Sequence, residues 1–374
     1  MSPRLIAPWL ALVLSACGSE PAPTGDTDFA ILAQAAEGYA QAVPGRALAF
    51  PTDHGAHPEF RIEWWYLTAN LTDDEGRAYG AQWTLFRSAV RPPGSNPMRN
   101  AWQSGQVYMA HFALTWPQGH RGFQRYARGG DHAGEAQAAV RAQPFAAWLD
   151  DWTLRSSGED WLPLEVRARP DEDALALRLR SDRPLVLQGA DGFSQKHPGG
   201  GGSYYYSQPF LAADGWVEIG GRRIAVTGQA WLDREWSSQF LQPDQQGWDW
   251  FALHLDSGEK LMLFQLRPMP GAPGGAYRHG VLIRPDGARQ ELGVSAIELE
   301  VLRRERVAGR QLPLAWRVAL PTLGRELRIE ALRPDQWMNV DFPYWEGAVR
   351  AEGAGPGSRG VGYMELTGYP PAAR

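Results

Sequence analysis

From Arg61 onward the chain repeatedly alternates apolar with polar or aromatic residues at a period of two, the signature of strands rather than helices. Such runs occupy Arg61–Leu71, Tyr79–Ser88, Gln106–Thr115, Ala174–Arg180 and Arg223–Leu232. Turn signals separate them: Asp74-Glu75-Gly76, Pro92-Pro93-Gly94 and Gly129-Gly130-Asp131, spaced for antiparallel meanders rather than βαβ units. A second set begins with Trp248–Leu255, turns through Asp256-Ser257-Gly258 and returns as Lys260–Arg267, a hairpin pattern. It continues through Gly280–Arg284, Ile297–Arg303, Ala315–Leu320, Leu327–Leu332, Trp345–Ala351 and Val361–Thr367. Two stretches depart from the pattern. Phe29–Ala42 has helical composition and stops at Pro44-Gly45, so a short N-terminal helix is expected. Glu135–Trp148 is alanine-rich and reads as either a helix or a long loop.

At 374 residues the chain exceeds the roughly 250 to 300 at which one core stops growing, so two domains are expected. The predicted fold is all-β: two tandem antiparallel barrels or sandwiches, over 46–240 and 241–374, behind a tether and short helix at 17–45. The aromatic load is heavy, with 17 Trp, 12 Tyr and 13 Phe, which either fills two cores or lines a cavity for an apolar ligand.

The first sixteen residues read as an export signal: Arg4, an apolar run Leu5–Leu14, then small residues before Cys17. That run is shorter than the ~20 residues needed to span a bilayer. Leu14-Ser15-Ala16-Cys17 fits a lipobox, so a lipoprotein anchored to the membrane through acylated Cys17 is expected, facing the periplasm. Gly18 in place of an aspartate points to the outer membrane. Cys17 is the only cysteine, which leaves no thiol for a disulfide, a thiolate metal site or a nucleophile. The net charge of −5 and the lack of a basic stripe argue against nucleic acid as a partner. No Gly-x-Ser-x-Gly elbow and no phosphate-cradling glycine loop occur, and no cofactor is expected.

Two clusters could carry chemistry. In the first, Asp53-His54-Gly55-Ala56-His57-Pro58-Glu59 leads into Glu63-Trp64-Trp65-Tyr66. Histidines with nearby carboxylates can bind zinc or ferrous ion, but Gly55 and Pro58 make this a loop, and the alternative is a set of polar groups fastening a strand entrance. Along the strand Glu63 shares a face with Trp65 and Leu67, opposite Trp64 and Tyr66; if that face is inward, Glu63 is a buried carboxylate that must be paired or raised in pKa. In the second cluster Tyr204 and Tyr206 face one way and Tyr205 the other, while Trp231 and Asp233 share a face. A carboxylic acid among aromatic rings can hold its proton near neutral pH and donate it to an alkene, whose cation the ring faces stabilise. The structural alternative pairs Asp233 with Arg234.

At these clusters the sequence resembles the carotenoid hydratase-like, or AttH-like, lipocalin-related family of secreted bacterial proteins. The matching stretches are Phe50–Leu71, Met109–Thr115, Gln188-Gly189, Phe193-Ser194, Ser203–Ser207, Trp231–Gln239, Gly247–Phe251 and Tyr363–Tyr369. The resemblance implies two lipocalin-like barrels with a ligand cavity near their junction. It also implies an aspartate, here Asp233, that protonates a terminal double bond before water adds. Trp231 stands where the hydratases resemble a tyrosine, and Tyr204 and Tyr206 where they carry a histidine and a tryptophan. The candidate catalytic residues are therefore Asp233, Tyr204, Tyr206 and Trp231, and the candidate ligand-binding residues Glu63, Trp65, Trp236 and Trp250. The expected ligand is a lipid or isoprenoid, held in a dry chamber formed by the inward strand faces. Many relatives in the family it resembles are grouped only as predicted secreted hydrolases or as components encoded beside ABC transporters, so a transporter permease is the expected protein partner and a non-catalytic carrier the alternative role.

Overall fold

Alternation along a strand lets one face meet a core and the other meet a second layer, and this chain uses both faces over much of its length. The computed structural model describes residues 36–95, 104–129, 136–355 and 357–372. Cys17 and the segment expected to be an export signal lie outside them, as does most of the segment expected to be helical; residues 36–42 form a turn and extended chain.

The first sheet is built from β1 (Ile62–Thr72), β2 (Ala78–Ala89), β3 (Gln106–Trp116), β4 (Gly119–Arg128), β5 (Ala138–Arg141) and β6 (Ala146–Leu149). It continues with β7 (Trp152–Ser156), β8 (Leu164–Ala168), β9 (Ala174–Arg180), β10 (Val186–Leu187), β11 (Phe193–Gln195), β12 (Gly202–Ile219) and β13 (Arg222–Ser237). The second sheet holds β14 (Gln245–Leu255), β15 (Lys260–Pro268), β16 (Tyr277–Ile283), β17 (Arg289–Leu292) and β18 (Glu298–Val307). Its remaining strands are β19 (Arg310–Leu320), β20 (Arg325–Ala331), β21 (Trp337–Met338), β22 (Tyr344–Gly353) and β23 (Gly360–Leu366).

All strand pairs within the two sheets are antiparallel. The first sheet runs β4-β3-β2-β1-β13-β12-β9-β8-β7-β6-β5, and a bridge between Gly129 and Ala138 brings its two ends together into a nearly closed barrel. The second runs β17-β16-β15-β14-β23-β22-β20-β19-β18 and stays open as a half-barrel. The chain is thus all-β with two tandem barrel-like units, divided between Ser237 and Gln245. The alanine-rich stretch before Trp148 is neither helix nor loop: it supplies β5 and β6, whose Ala138, Ala147 and Leu149 are fully buried against the barrel core.

Each unit has its own core. In the first, Trp65, Leu67 and Leu71 of β1 meet Trp83 and Leu85 of β2, Phe112 of β3, Trp152 of β7 and Leu232 of β13. In the second, Phe251 and Leu253 of β14 pack with Trp316, Trp345 and Met364. A third apolar cluster joins the units: Tyr66, Tyr205 and Trp231 meet Trp250, Ala252, Phe264, Ala348 and Tyr363. The approach is close at Gly80 of β2, where a Cβ would come within 2.6 Å of Tyr363 Oη and 3.1 Å of Ala348 Cβ. Asn70 Nδ2 donates to Gly362 O at 2.9 Å nearby.

Candidate functional site

Register decides what meets at the junction. On β13, residues 231, 233 and 235 point away from the barrel core and 230, 232, 234 and 236 toward it. Asp233 stands opposite Tyr66 of β1 on one side and Ser207 of β12 on the other, while Glu235 stands opposite Trp64 and Tyr205. The same alternation on the second sheet sends Trp248 and Trp250 of β14, Tyr344 and Glu346 of β22 and Glu365 of β23 toward the first unit.

Between these outer walls lies a chamber of about 200 Å³. Trp64, Tyr66, Phe86, Tyr205 and Phe240 line it from the first unit and Trp248, Trp250, Phe264, Phe342 and Tyr344 from the second. Besides the tyrosine hydroxyls and tryptophan N–H groups, the polar lining is Asp233, Glu235, Lys196, His111, Glu365, Ser88 and Thr367. The interior of the first barrel, by contrast, is packed with its own side chains. The ring-lined chamber therefore sits between two walls, not within the inward strand faces as the sequence suggested.

Asp233 is 3% exposed and its carboxyl is held on three sides. Tyr205 Oη donates to Oδ2 at 2.6 Å, while Ser207 Oγ and Trp231 Nε1 donate to Oδ1 at 2.5 and 2.7 Å. Burial opposes the charge and outweighs these donors, raising the pKa from 3.8 to about 7, so the group can give or take a proton near neutrality. Glu235 takes Lys196 Nζ at 2.7 Å and the hydroxyl of Ser203. The Lys196 ammonium also stands 4.4 Å over the Phe264 ring, so the loop after β11 is tied to both walls. Burial lowers the His111 pKa to about 4, leaving a neutral imidazole whose Nδ1 lies 2.9 Å from Tyr344 Oη. Glu365 receives the Trp248 indole N–H at 2.5 Å, and burial raises its pKa to about 7.

The structure separates the residues singled out from sequence. Asp233 and Trp250 line the chamber, and Trp231 fixes the Asp233 carboxyl from behind. Tyr204 and Tyr206 do not reach it: with Trp236 they occupy the opposite strand face, in a cluster with Phe60 and Phe193. Their hydroxyls hold the N-terminal segment, Tyr204 Oη donating to Val43 O at 3.0 Å and Tyr206 Oη lying 2.7 Å from His54 Nδ1. Tyr205, the residue between them, is the Asp233 partner. Trp65 belongs to the barrel core and donates its indole N–H to His54 O at 2.9 Å.

Glu63 is also turned from the chamber. It is fully buried and bonded to Arg87 and Arg234, and His57 N donates to Oε1 at 2.9 Å. Burial works against its charge, but the two guanidiniums and His57 hold the carboxyl well below the usual carboxylate range. His57 Nε2 lies 3.0 Å from Asp53 Oδ1, and Arg234 Nη2 2.6 Å from Gly55 O. The first cluster is thus a fastening of the Asp53–Glu63 segment to the barrel, with arginines beside Glu63 where a metal reading would put a cation. Sequence reasoning missed Tyr205, Glu235, Lys196, Glu346 and Glu365. For Tyr205 the signal was present, since it alternates onto the face of Ser207 and hence of Asp233's neighbours.

The AttH-like family profile matches residues 41–369. The crystal structure of an AttH from Nitrosomonas europaea resembles the chain with a TM-score of 0.77 at 37% identity, covering 88% of this chain and 99% of that one. Kievitone hydratase from Nectria haematococca has a TM-score of 0.63 at 13% identity, over 88% of this chain and 98% of its own. CghA bound to Sch210972 has a TM-score of 0.51 at 14% identity, over 90% and 97%. At such identities the last two share the fold alone. No curated protein sequence matches. The profile covers nearly all of both barrel units, and the chain belongs to the AttH-like family.

Proposed function

We propose that the protein binds an apolar isoprenoid or lipid in the junction chamber and adds water to one of its double bonds, with Asp233 as general acid. The observation that carries this reading is a single one: a carboxyl poised near neutrality by burial, fixed by Tyr205, Ser207 and Trp231, at the wall of a ring-lined chamber. Alkene protonation needs a neutral acid in a dry site, and the cation it leaves needs electron-rich faces, which Trp64, Tyr66 and Trp250 supply. The hydratase name of one distant structural neighbour supports the same reaction type. An export signal and lipid anchor at Cys17 would place this chemistry at the periplasmic side of a membrane, within reach of a lipid-like substrate.

Incubation with the acyclic alkenes geraniol, farnesol and lycopene, followed by mass spectrometry, tests the reading. The expected result is a mass gain of one water that Asp233→Asn abolishes while tryptophan fluorescence still reports binding. Binding without any product in the wild type would reduce the protein to a carrier.

A further inference from the structure

Asp233 is not the only poised acid at the junction. Glu346 of β22 and Glu365 of β23 stand directly opposite each other in antiparallel register. Side chains so placed have Cβ atoms about 5 Å apart, and like charges there repel. Glu346 is 1% exposed, and neither carboxyl forms an ion pair with a cation among the described residues. Tyr66 Oη donates to Glu346 Oε1 at 2.6 Å, but Glu346 Oε2 is buried with no N–H or hydroxyl donor on it. One proton shared by the pair removes both difficulties, turning a repulsion into a hydrogen bond and satisfying the orphaned oxygen. Burial and the Glu365 charge push Glu346 well above the usual range, so Glu346 keeps that proton. Glu365 accepts from Glu346 and from Trp248, and it is Glu365 that faces the chamber.

Each wall therefore presents a carboxyl of raised pKa, Asp233 on one and Glu365 on the other. We propose that Glu365, backed by Glu346, is the second proton-transfer group of the chamber, accepting the proton of the water that attacks the cation formed when Asp233 protonates the alkene. This role rests on the hydratase reading. The Asp233 O–H bond breaks as a C–H bond forms; the water oxygen then bonds to the positive carbon, and one water O–H bond breaks as its proton joins Glu365. Return of that proton to Asp233 through solvent restores both groups, and the substrate has gained one water. Other groups set the protonation of the site: Tyr66 on β1, His111 on β3, Asp233 and Glu235 on β13, Trp248 on β14 and Tyr344 on β22, with Lys196 paired to Glu235.

The test is turnover of farnesol between pH 5 and 9 by the wild type and by Asp233→Asn, Glu365→Gln and Glu346→Gln. The wild type should show a bell, because Glu365 must be ionised while Asp233 is protonated. Glu365→Gln should bind farnesol but turn over about 100-fold more slowly, and its residual rate should lose the acid limb of the bell. Glu346→Gln still offers Glu365 an N–H and should lose less than Glu365→Gln; a purely structural role for the pair would make the two losses alike. If Asp233→Asn is inactive while Glu365→Gln stays within threefold of wild type with its acid limb intact, the Glu365 role falls and the hydratase reading stands. A wild type that adds water to none of farnesol, geraniol or lycopene overturns the hydratase reading and the Glu365 role together.

Discussion

Replacing Asp233 by asparagine should stabilise the protein in alkaline solution, and the size of the effect follows from the geometry. The folded carboxyl holds its proton up to about pH 7, whereas the unfolded one releases it near 3.8. Between those values the folded state binds more protons than the unfolded chain, so stability falls as pH rises through that window. At about 1.4 kcal/mol per pH unit, the full rise corresponds to about 4 kcal/mol, of which about 3 kcal/mol is lost between pH 5 and pH 8. Asparagine keeps the shape and the bonds: its carbonyl can accept from Ser207 and Trp231, and its amide can donate to a rotated Tyr205 hydroxyl. Urea unfolding followed by tryptophan fluorescence at both pH values measures the difference. The wild type should lose about 3 kcal/mol more than Asp233→Asn on going from pH 5 to pH 8. Glu365 titrates in the same range but is common to both proteins, so it cancels. Equal pH dependence in the two would refute the claim that Asp233 is a buried acid held neutral by its surroundings.

Glu63→Gln should cost about 3 to 5 kcal/mol in urea unfolding, because it strands the buried guanidiniums of Arg87 and Arg234. Since the Glu63 carboxyl lies well below the usual range, the stability it lends is present above about pH 4.5 and lost in acid, and the variant should lose that acid sensitivity. Tyr205→Phe removes a donor from Asp233 and should move the alkaline limb of turnover to higher pH, whereas Tyr206→Phe, which touches only the His54 side, should leave that limb in place. Cys17→Ser should shift the protein from the membrane to the soluble fraction on cell fractionation, and continued membrane association would count against the lipid anchor.

Alternation made most strands legible: β9 carries period two through nearly all its length, and β1, β2, β3 and the β14–β15 hairpin carry it over part of theirs, interrupted where both faces are buried. It failed where composition and context disagree. Ala138-Ala139-Val140-Arg141 and Ala146-Ala147-Trp148-Leu149 have helix-favouring alanines but are captured by pairing with each other and burial against the barrel. Around Pro209, which has no N–H to donate, the β12–β13 register slips between Gln208 and Leu211. The candidate site was half legible for a related reason. Period two says which residues share a face, and it grouped Trp231 with Asp233 and Glu63 with Trp65, but it does not say whether a face lines a barrel interior or an outer wall covered by a second unit. Both faces are buried over most of β1 and over the Ala230–Ser237 half of β13, so burial does not tell Glu63, Trp65 and Trp236 apart from the chamber face. Glu365 was harder still: it meets the Asp233 chamber only through a packing of two sheets, with no local signal linking residues so distant in the chain.

A crystal structure with farnesol bound tests most directly whether the chamber between the two walls is the binding site. The arrangement predicts farnesol density between Trp64 and Trp250, with one end within hydrogen-bonding or van der Waals reach of the Asp233 carboxyl. Density inside the first barrel beside Trp65 and Glu63, or an unchanged chamber in crystals where farnesol sits elsewhere, would contradict it.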